Sequence, residues 1–245
     1  MTTQFLSLPA YDLAYTYKPI EGAPTIVFLP GYFSDMSGAK ALFLKEHASA
    51  HGYGFLSLDY SGHGQSGGKF IEGTISRWLK DILAVLDHTK AQNLTVVGSS
   101  MGGWLMLLLA QMRPSLVQKL VGIASAPDFT EDLIWPKLSD EKRQLLESEG
   151  CIYTPSEYSA QGTPLSYDLI LDGRNNLLLR TPMTISVPVR LLHGTADKDV
   201  PYETSLRIME KLESKDVQVR LIKDGDHRLS SPDQLRILWE TVIQP

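Results

Sequence analysis

The sequence predicts an α/β fold: a mostly parallel sheet of about eight strands with helices on both faces. Three observations carry that prediction. Short apolar or β-branched runs alternate with longer segments of helical periodicity along most of the chain. Two of the runs, Thr25–Leu29 and Phe55–Leu58, are apolar almost throughout, as strands covered on both faces must be. At Leu94–Trp104 a β-branched run (Thr95, Val96, Val97) passes through Gly98-Ser99-Ser100-Met101-Gly102-Gly103 straight into an apolar helix.

That junction has the pattern G-x-S-x-G, and its glycines have a physical reason. Ser100 at such a turn takes a positive φ, and a side chain two residues to either side would strike the neighbouring strand or helix. The turn lifts the Ser100 hydroxyl above the sheet edge and leaves backbone N–H groups of the new helix beside it, as donors for an oxyanion. The same pattern also arises in Gly/Ser turns without chemistry, so the rest of the chain must decide.

Taken in order, Gln4–Leu8 and Leu13–Tyr17 read as an antiparallel pair at a sheet edge. Thr25–Leu29 ends at Pro30-Gly31-Tyr32-Phe33, and a helix follows over about Ser37–His51. Phe55–Leu58 closes on Asp59-Tyr60-Ser61-Gly62-His63-Gly64-Gln65-Ser66-Gly67. From Thr74 to Lys90, Ile75, Trp78, Ile82, Val85 and Leu86 recur at helical spacing, which predicts an amphipathic helix. The helix after Ser100 is apolar on all sides and stops before Pro114. Lys119–Ala124, Val187–Leu192 and Val217–Ile222 supply further strands, the last two followed by helices near Glu203–Leu212 and Asp233–Ile243.

Residues 128 to 186 break this alternation with a polar helix (Ser139–Glu149), a Tyr/Ser/Pro-rich stretch (Cys151–Tyr167) and an apolar run at Leu177–Leu179. The segment is too long for a plain loop and too poor in apolar periodicity for a core of its own. It predicts a small cap inserted after the sixth strand, within a single domain spanning residues 1–245. Its apolar and aromatic residues, Ile134, Trp135, Tyr153, Tyr158, Leu165, Tyr167 and Ile170, predict a greasy pocket of modest size.

Bulk properties narrow the function. Of 245 residues, 43% are hydrophobic and 21% charged, as in ordinary globular proteins. The net charge of −5 comes without a basic stripe, which argues against nucleic acid as a partner. The one cysteine, Cys151, excludes an internal disulfide and fits a reducing compartment. The first residues carry neither a basic, apolar leader nor a transit pattern, so a cytoplasmic placement is expected. The longest apolar run, Trp104–Ala110, is too short to span a bilayer, so no integral membrane segment is expected.

A serine nucleophile needs a base, and the base an orienter. One later strand ends at His193-Gly194-Thr195-Ala196-Asp197-Lys198-Asp199-Val200-Pro201, and the last at Asp224-Gly225-Asp226-His227-Arg228. Ser, Asp and His thus follow different strands of one sheet, in the order of the α/β-hydrolase fold. The chain resembles that superfamily through PGY at 30–32, DYSGHGQS at 59–66, GSSMGG at 98–103, HGTADKDVP at 193–201 and GDH at 225–227. Within it, GSSMGGWLML, DYSGHGQS and the DHR at 226–228 look most like the small acyl-thioesterase and esterase branch, which includes palmitoyl-protein thioesterase and acyl-glucuronide esterase activities.

The resemblance implies Ser100 as nucleophile, Asp197 as acid and His227 as base, with the backbone N–H groups of Met101 and Tyr32 as oxyanion donors. Pro30 stands where many relatives have histidine, and Phe33 is the fallback for the second donor. The implied activity is cleavage of a carboxylic ester or thioester through an acyl-enzyme, on a small-molecule or acylated substrate. No organic cofactor and no metal is implied. A catalytically silent ligand-binding member of the fold, or a small peptidase, are the alternatives.

Other candidates are weaker. Asp199 lies two residues from Asp197 and could orient the base instead, but the spacing H-G-x-x-D-x-x-V-P favours Asp197. Asp224 and Asp226 read as turn formers, and Arg228 as pairing with an acid or reaching a substrate carboxylate. Gly62-x-Gly64-x-x-Gly67 matches a dinucleotide fingerprint, yet no helix starts on it to receive a pyrophosphate. His47 and His51 read as exposed helix-end residues without a third ligand, His63 as structural, and His193 as fixing the loop that carries Asp197. Cys151 has no base near it in sequence and reads as inert.

Overall fold

The structure, a computed structural model, describes residues 2–154 and 162–244. The chain runs β1 (Gln4–Ser7), β2 (Asp12–Lys18), β3 (Thr25–Leu29), α1 (Ala39–Ala50), β4 (Gly54–Leu58), α2 (Ile75–Thr89), β5 (Leu94–Ser99), α3 (Met101–Met112) and β6 (Val117–Ile123). It continues through α4 (Asp140–Glu149), β7 (Cys151–Thr154), β8 (Thr163–Ser166), α5 (Tyr167–Arg174), β9 (Val189–Gly194), α6 (Glu203–Lys211), β10 (Val217–Ile222) and α7 (Pro232–Ile243). Eight strands form one sheet in the order β1-β2-β4-β3-β5-β6-β9-β10. The β1–β2 and β2–β4 pairings are antiparallel and the others parallel. The α/β-hydrolase fold expected from the sequence is the one observed.

Period-two alternation sorts the core. Val27, Leu29, Leu56, Leu58 and Val96 face one layer, filled by α2, α3 and Ile208 of α6. Ile26, Phe28, Phe55, Val97 and Leu192 face the other, filled by α1 and by Leu238, Trp239 and Val242 of α7. Because α3 lies under the insertion as well as on the sheet, Met101–Ala110 is buried on every side. That explains a helix without a polar face.

The start of β6 lies two residues before the expected one. Lys119, read as a boundary, is an interior residue of the strand. Its ammonium donates to the carbonyls of Thr241 (2.8 Å) and Val242 (3.1 Å) at the C-terminus of α7, where the helix dipole favours a cation. Similarly, β9 begins at Val189, after Pro188, rather than at Val187.

The segment between β6 and β9 holds more regular structure than its sequence suggests. The polar helix is α4, capped by Ser139. The Tyr/Ser/Pro-rich stretch contains the antiparallel hairpin β7–β8 and ends where α5 begins. Four-residue strands are too short to show periodicity. Within α5, Gly173 packs closely on Thr130: a Cβ there would lie 2.2 Å from Thr130 Oγ1. The ends of the insertion are tied together by Asp128, whose side chain is fully buried. One carboxylate oxygen accepts from Leu178 N–H (2.7 Å) and the other from Leu179 N–H (2.9 Å).

The DYSGHGQS turn packs His63 among Tyr60, Phe70 and Trp78. Its Nδ1 meets only the Ser61 carbonyl at 3.3 Å, and Nε2 has no partner among the described residues. Burial pushes this imidazole down to about 4. Between that value and the ordinary 6.5 the unfolded chain binds a proton that the folded one refuses, so stability falls as the pH drops through this window. The loss reaches about 3 kcal/mol once the pH is below both values. Urea denaturation of the wild type and of His63→Leu at pH 7 and pH 4.5 checks this: the wild type should lose markedly more stability than the variant.

Candidate active site

The elbow forms because two backbones meet without room for a side chain. Ser100 has φ 53°, ψ −117°. A Cβ at position 98 would lie 2.4 Å from Gly102 O, and one at position 102 only 2.1 Å from Leu29 O and 2.6 Å from Pro30 O. The start of α3 therefore sits directly on the carboxyl end of β3. Ser100 N–H donates to Ile123 O (2.9 Å), and Ser100 O accepts from Gly103 N–H (2.8 Å) and Ala126 N–H (3.0 Å). These bonds fix the serine from β6 as well. Ser99, the neighbouring hydroxyl, is the buried last residue of β5.

β9 and β10 deliver the other groups. His227 Nε2 lies 3.0 Å from Ser100 Oγ, and Nδ1 lies 2.7 Å from Asp197 Oδ2. A carboxylate only accepts, so Nδ1 carries the hydrogen and Nε2 is free to accept the serine proton. The second oxygen of Asp197 accepts from the N–H groups of Asp199 and Val200, both at 2.9 Å. His193 Nε2 lies 3.2 Å from Oδ2, shared with Val200 O at 3.0 Å, while its Nδ1 meets Ser205 Oγ at 2.8 Å. Burial by itself raises the Asp197 carboxyl. The hydrogen bonds from His193, His227 and Val200 outweigh it and hold the group well below the usual carboxylate range.

Asp197 rather than Asp199 therefore reaches His227 Nδ1, and His193 fixes the Asp197 loop as expected. Asp224 takes a left-handed turn conformation (φ 57°), and Asp226 accepts from Leu229 N–H at 2.9 Å, so both act as turn formers. Asp197, Asp199 and His227 place three possible metal-ligand atoms within 4.8 Å of one another. A cation there would have to break the 2.7 Å bond between Asp197 and His227.

Beside Ser100 lie the two expected oxyanion donors. Among the described residues, neither Met101 N–H nor Tyr32 N–H is taken by another group, and the same holds for Phe33. The Tyr32 ring packs among Phe70, Trp78 and Phe129, and its hydroxyl donates to Pro164 O (2.8 Å) in β8. Burial pushes that phenol up. A cavity of about 770 Å³ opens over Ser100 and His227, walled by Phe129, Leu133, Ile134, Leu138 and Leu165 from the insertion.

The expected lining is only partly right. Ile134 and Leu165 face the cavity. Trp135 instead lies under the guanidinium groups of Arg143 and Arg174, Ile170 is core, and Tyr153 is 65% exposed. Tyr167 packs beside Trp135, and Tyr158 lies outside the described residues. Periodicity marks which face of a helix is buried but not whether it faces a core or a cavity. Lys40 carries no functional signal in the sequence. It reaches from α1 to the carbonyl of Arg228 and to Ser230 Oγ (3.2 Å), and burial pushes its ammonium down to about 8. Arg228 lies on the cavity wall. His47 is half-buried rather than exposed, packed with Phe43 and Trp239.

The described residues contain no helix long and apolar enough to cross a membrane. Residues 24–150 match the family model for the alpha/beta hydrolase fold. The chain belongs to the α/β-hydrolase family. This α/β hydrolase is 39% identical over 241 residues to the bovine mitochondrial palmitoyl-protein thioesterase ABHD10, covering 97% of this chain and 78% of that one. The solved structure of mouse alpha/beta hydrolase domain-containing protein 10 superimposes with a TM-score of 0.88 at 37% identity, covering 97% and 95%. A crystal structure of a hydrolase from Agrobacterium vitis S4 gives 0.93 at 41% identity, covering 99% of both chains.

The elbow's missing clearance is directly testable. Gly102→Ala should cost at least about 3 kcal/mol of stability, seen as a lowered denaturation midpoint. Gly38→Ala, whose new Cβ would meet its nearest atom at 3.4 Å, should shift the midpoint little.

Proposed function

We propose that this α/β hydrolase cleaves carboxylic esters or thioesters of an acyl group through a Ser-His-Asp triad and an acyl-enzyme. The observation that carries the reading is the unbroken chain from Ser100 Oγ through His227 to Asp197, at 3.0 and 2.7 Å, opening into a largely apolar cavity. His227 Nε2 takes the Ser100 proton as Oγ attacks the acyl carbon. Asp197 holds the imidazole in the required tautomer and stabilises its charged form. The N–H groups of Met101 and Tyr32 receive the negative charge that develops on the acyl oxygen. His227 returns the proton to the leaving oxygen or sulfur, and water releases the acyl group by the same route.

Residues 128–186 serve as the cap that shapes the acyl site within one domain. The names of the mammalian relatives supply the thioester half of the reading, since they are palmitoyl-protein thioesterases. A reducing compartment, the cytoplasm, fits the free thiol of Cys151, although those relatives are named as mitochondrial.

Fluorophosphonate labelling tests the nucleophile. The wild type should label, and Ser100→Ala should neither label nor turn over, with a loss on the order of 10⁶ in kcat. A wild type that neither labels nor hydrolyses any p-nitrophenyl ester or thioester would show a silent ligand-binding protein instead. Asp197→Asn should keep the fold and lower kcat by about 10⁴, because the amide stabilises the wrong tautomer of His227.

A further inference from the structure

We infer that the cavity mouth recognises an anionic leaving group, and that the preferred substrate is a thioester of a phosphate-bearing thiol. This rests on the ester and thioester hydrolase reading above.

The chain as a whole is acidic, with a net charge of −5, yet the cavity wall is not. Lys40, Lys137, Lys142 and Arg228 line it, against Asp35 and Asp199. Asp35 is already engaged, accepting from Ser37 N–H at 2.7 Å and from the Ser37 hydroxyl. The insertion shows how the imbalance is built. Several of its acids are matched with arginines: Glu131 with Arg174 (2.7 Å), Asp140 with Arg143 (3.3 Å), and Asp132 with Arg207 (3.0 Å) and Arg180. Glu141 is held by the Ser139 side chain.

Lys137 and Lys142 are left on the cavity wall without a carboxylate partner among the described residues. Both are exposed. Lys142 also belongs to the first turn of α4, where the helix dipole adds positive potential. Lys40, on α1, also lines the cavity, its ammonium donating to the carbonyl of Arg228 and to Ser230 Oγ.

Lysine ammonium groups are strongly hydrated point charges that bind phosphate without a fixed planar geometry. Several of them around one mouth favour a multiply charged anion over a single carboxylate. The apolar wall of Phe129, Leu133, Ile134, Leu138 and Leu165 suits the acyl chain, which leaves the cations to the departing thiol. In the reaction Ser100 Oγ bonds to the acyl carbon as the C–S bond breaks. The proton passes from Oγ to His227 Nε2 and on to the thiolate. Cations at the mouth raise the local concentration of an anionic substrate, an effect that salt weakens.

The test compares kcat/KM for butyryl-coenzyme A, the neutral butyryl-N-acetylcysteamine thioester, and the succinyl-N-acetylcysteamine thioester, whose anion lies on the acyl side. The coenzyme A thioester should exceed the neutral one at least ten-fold at 20 mM salt, and the ratio should shrink at 500 mM. The variant Lys137→Glu/Lys142→Glu should lower that ratio at least ten-fold, the neutral thioester serving within the same variant as the report on fold and triad. Equal rates for the first two substrates would overturn the inference. So would a ratio indifferent to salt and to charge reversal, or a gain confined to the succinyl substrate. If the wild type hydrolyses none of the three and also fails to label with fluorophosphonate, the hydrolase reading itself falls.

Discussion

The absence of space between position 102 and the end of β3 is the constraint on which the rest depends. With Leu29 O 2.1 Å from where a Cβ at 102 would stand, the first turn of α3 rests on the backbone of β3. That contact brings together the serine at the tip of β5, the first N–H of α3 and the N–H groups after Pro30-Gly31. Three pieces of backbone from separate parts of the sequence become one rigid unit. The strained Ser100 conformation is held by a bond from its N–H to Ile123 O of β6 and by the Gly103 and Ala126 N–H groups on its carbonyl.

The second requirement is a carboxylate that stays ionised while buried. Asp197 meets it by filling its acceptor positions: two backbone N–H groups on one oxygen, His227 and His193 on the other. Desolvation is offset by donors held in place by β9 and the turn that follows it. His193 does this from inside the core, anchored in turn by Ser205 of α6. The His227 side is secured differently. Its loop contains Leu229 in a left-handed conformation (φ 45°), braced by Asp226 from within and by Lys40 from α1.

Over this machinery the insertion supplies shape and charge. Asp128 ties its two ends together, and Tyr32 links the β3 loop to β8, so the walls of the cavity are joined to the backbone that would hold an oxyanion. Arginine–carboxylate pairs engage Glu131, Asp132 and Asp140 of the insertion. Lys137 and Lys142 stand on the cavity wall outside those pairs.

The sequence alone determined the alternation of strands and helices, the elbow with its two required glycines, and which serine, acid and histidine fall at strand ends. These are local properties: hydrophobic period, turn chemistry and spacing are carried by residues close together in the chain. It did not determine the hairpin β7–β8, the helix α5, the interior place of Lys119, or the cavity lining. Each of those is decided by which segment lies opposite. Trp135 and Ile170 look like Ile134 in sequence, but one lies beneath two guanidinium groups, one enters the core, and only Ile134 faces the cavity. Lys40 carries no local signal at all, because its partners at 228 and 230 are brought to it only when α1 and the loop after β10 close on the same edge of the sheet.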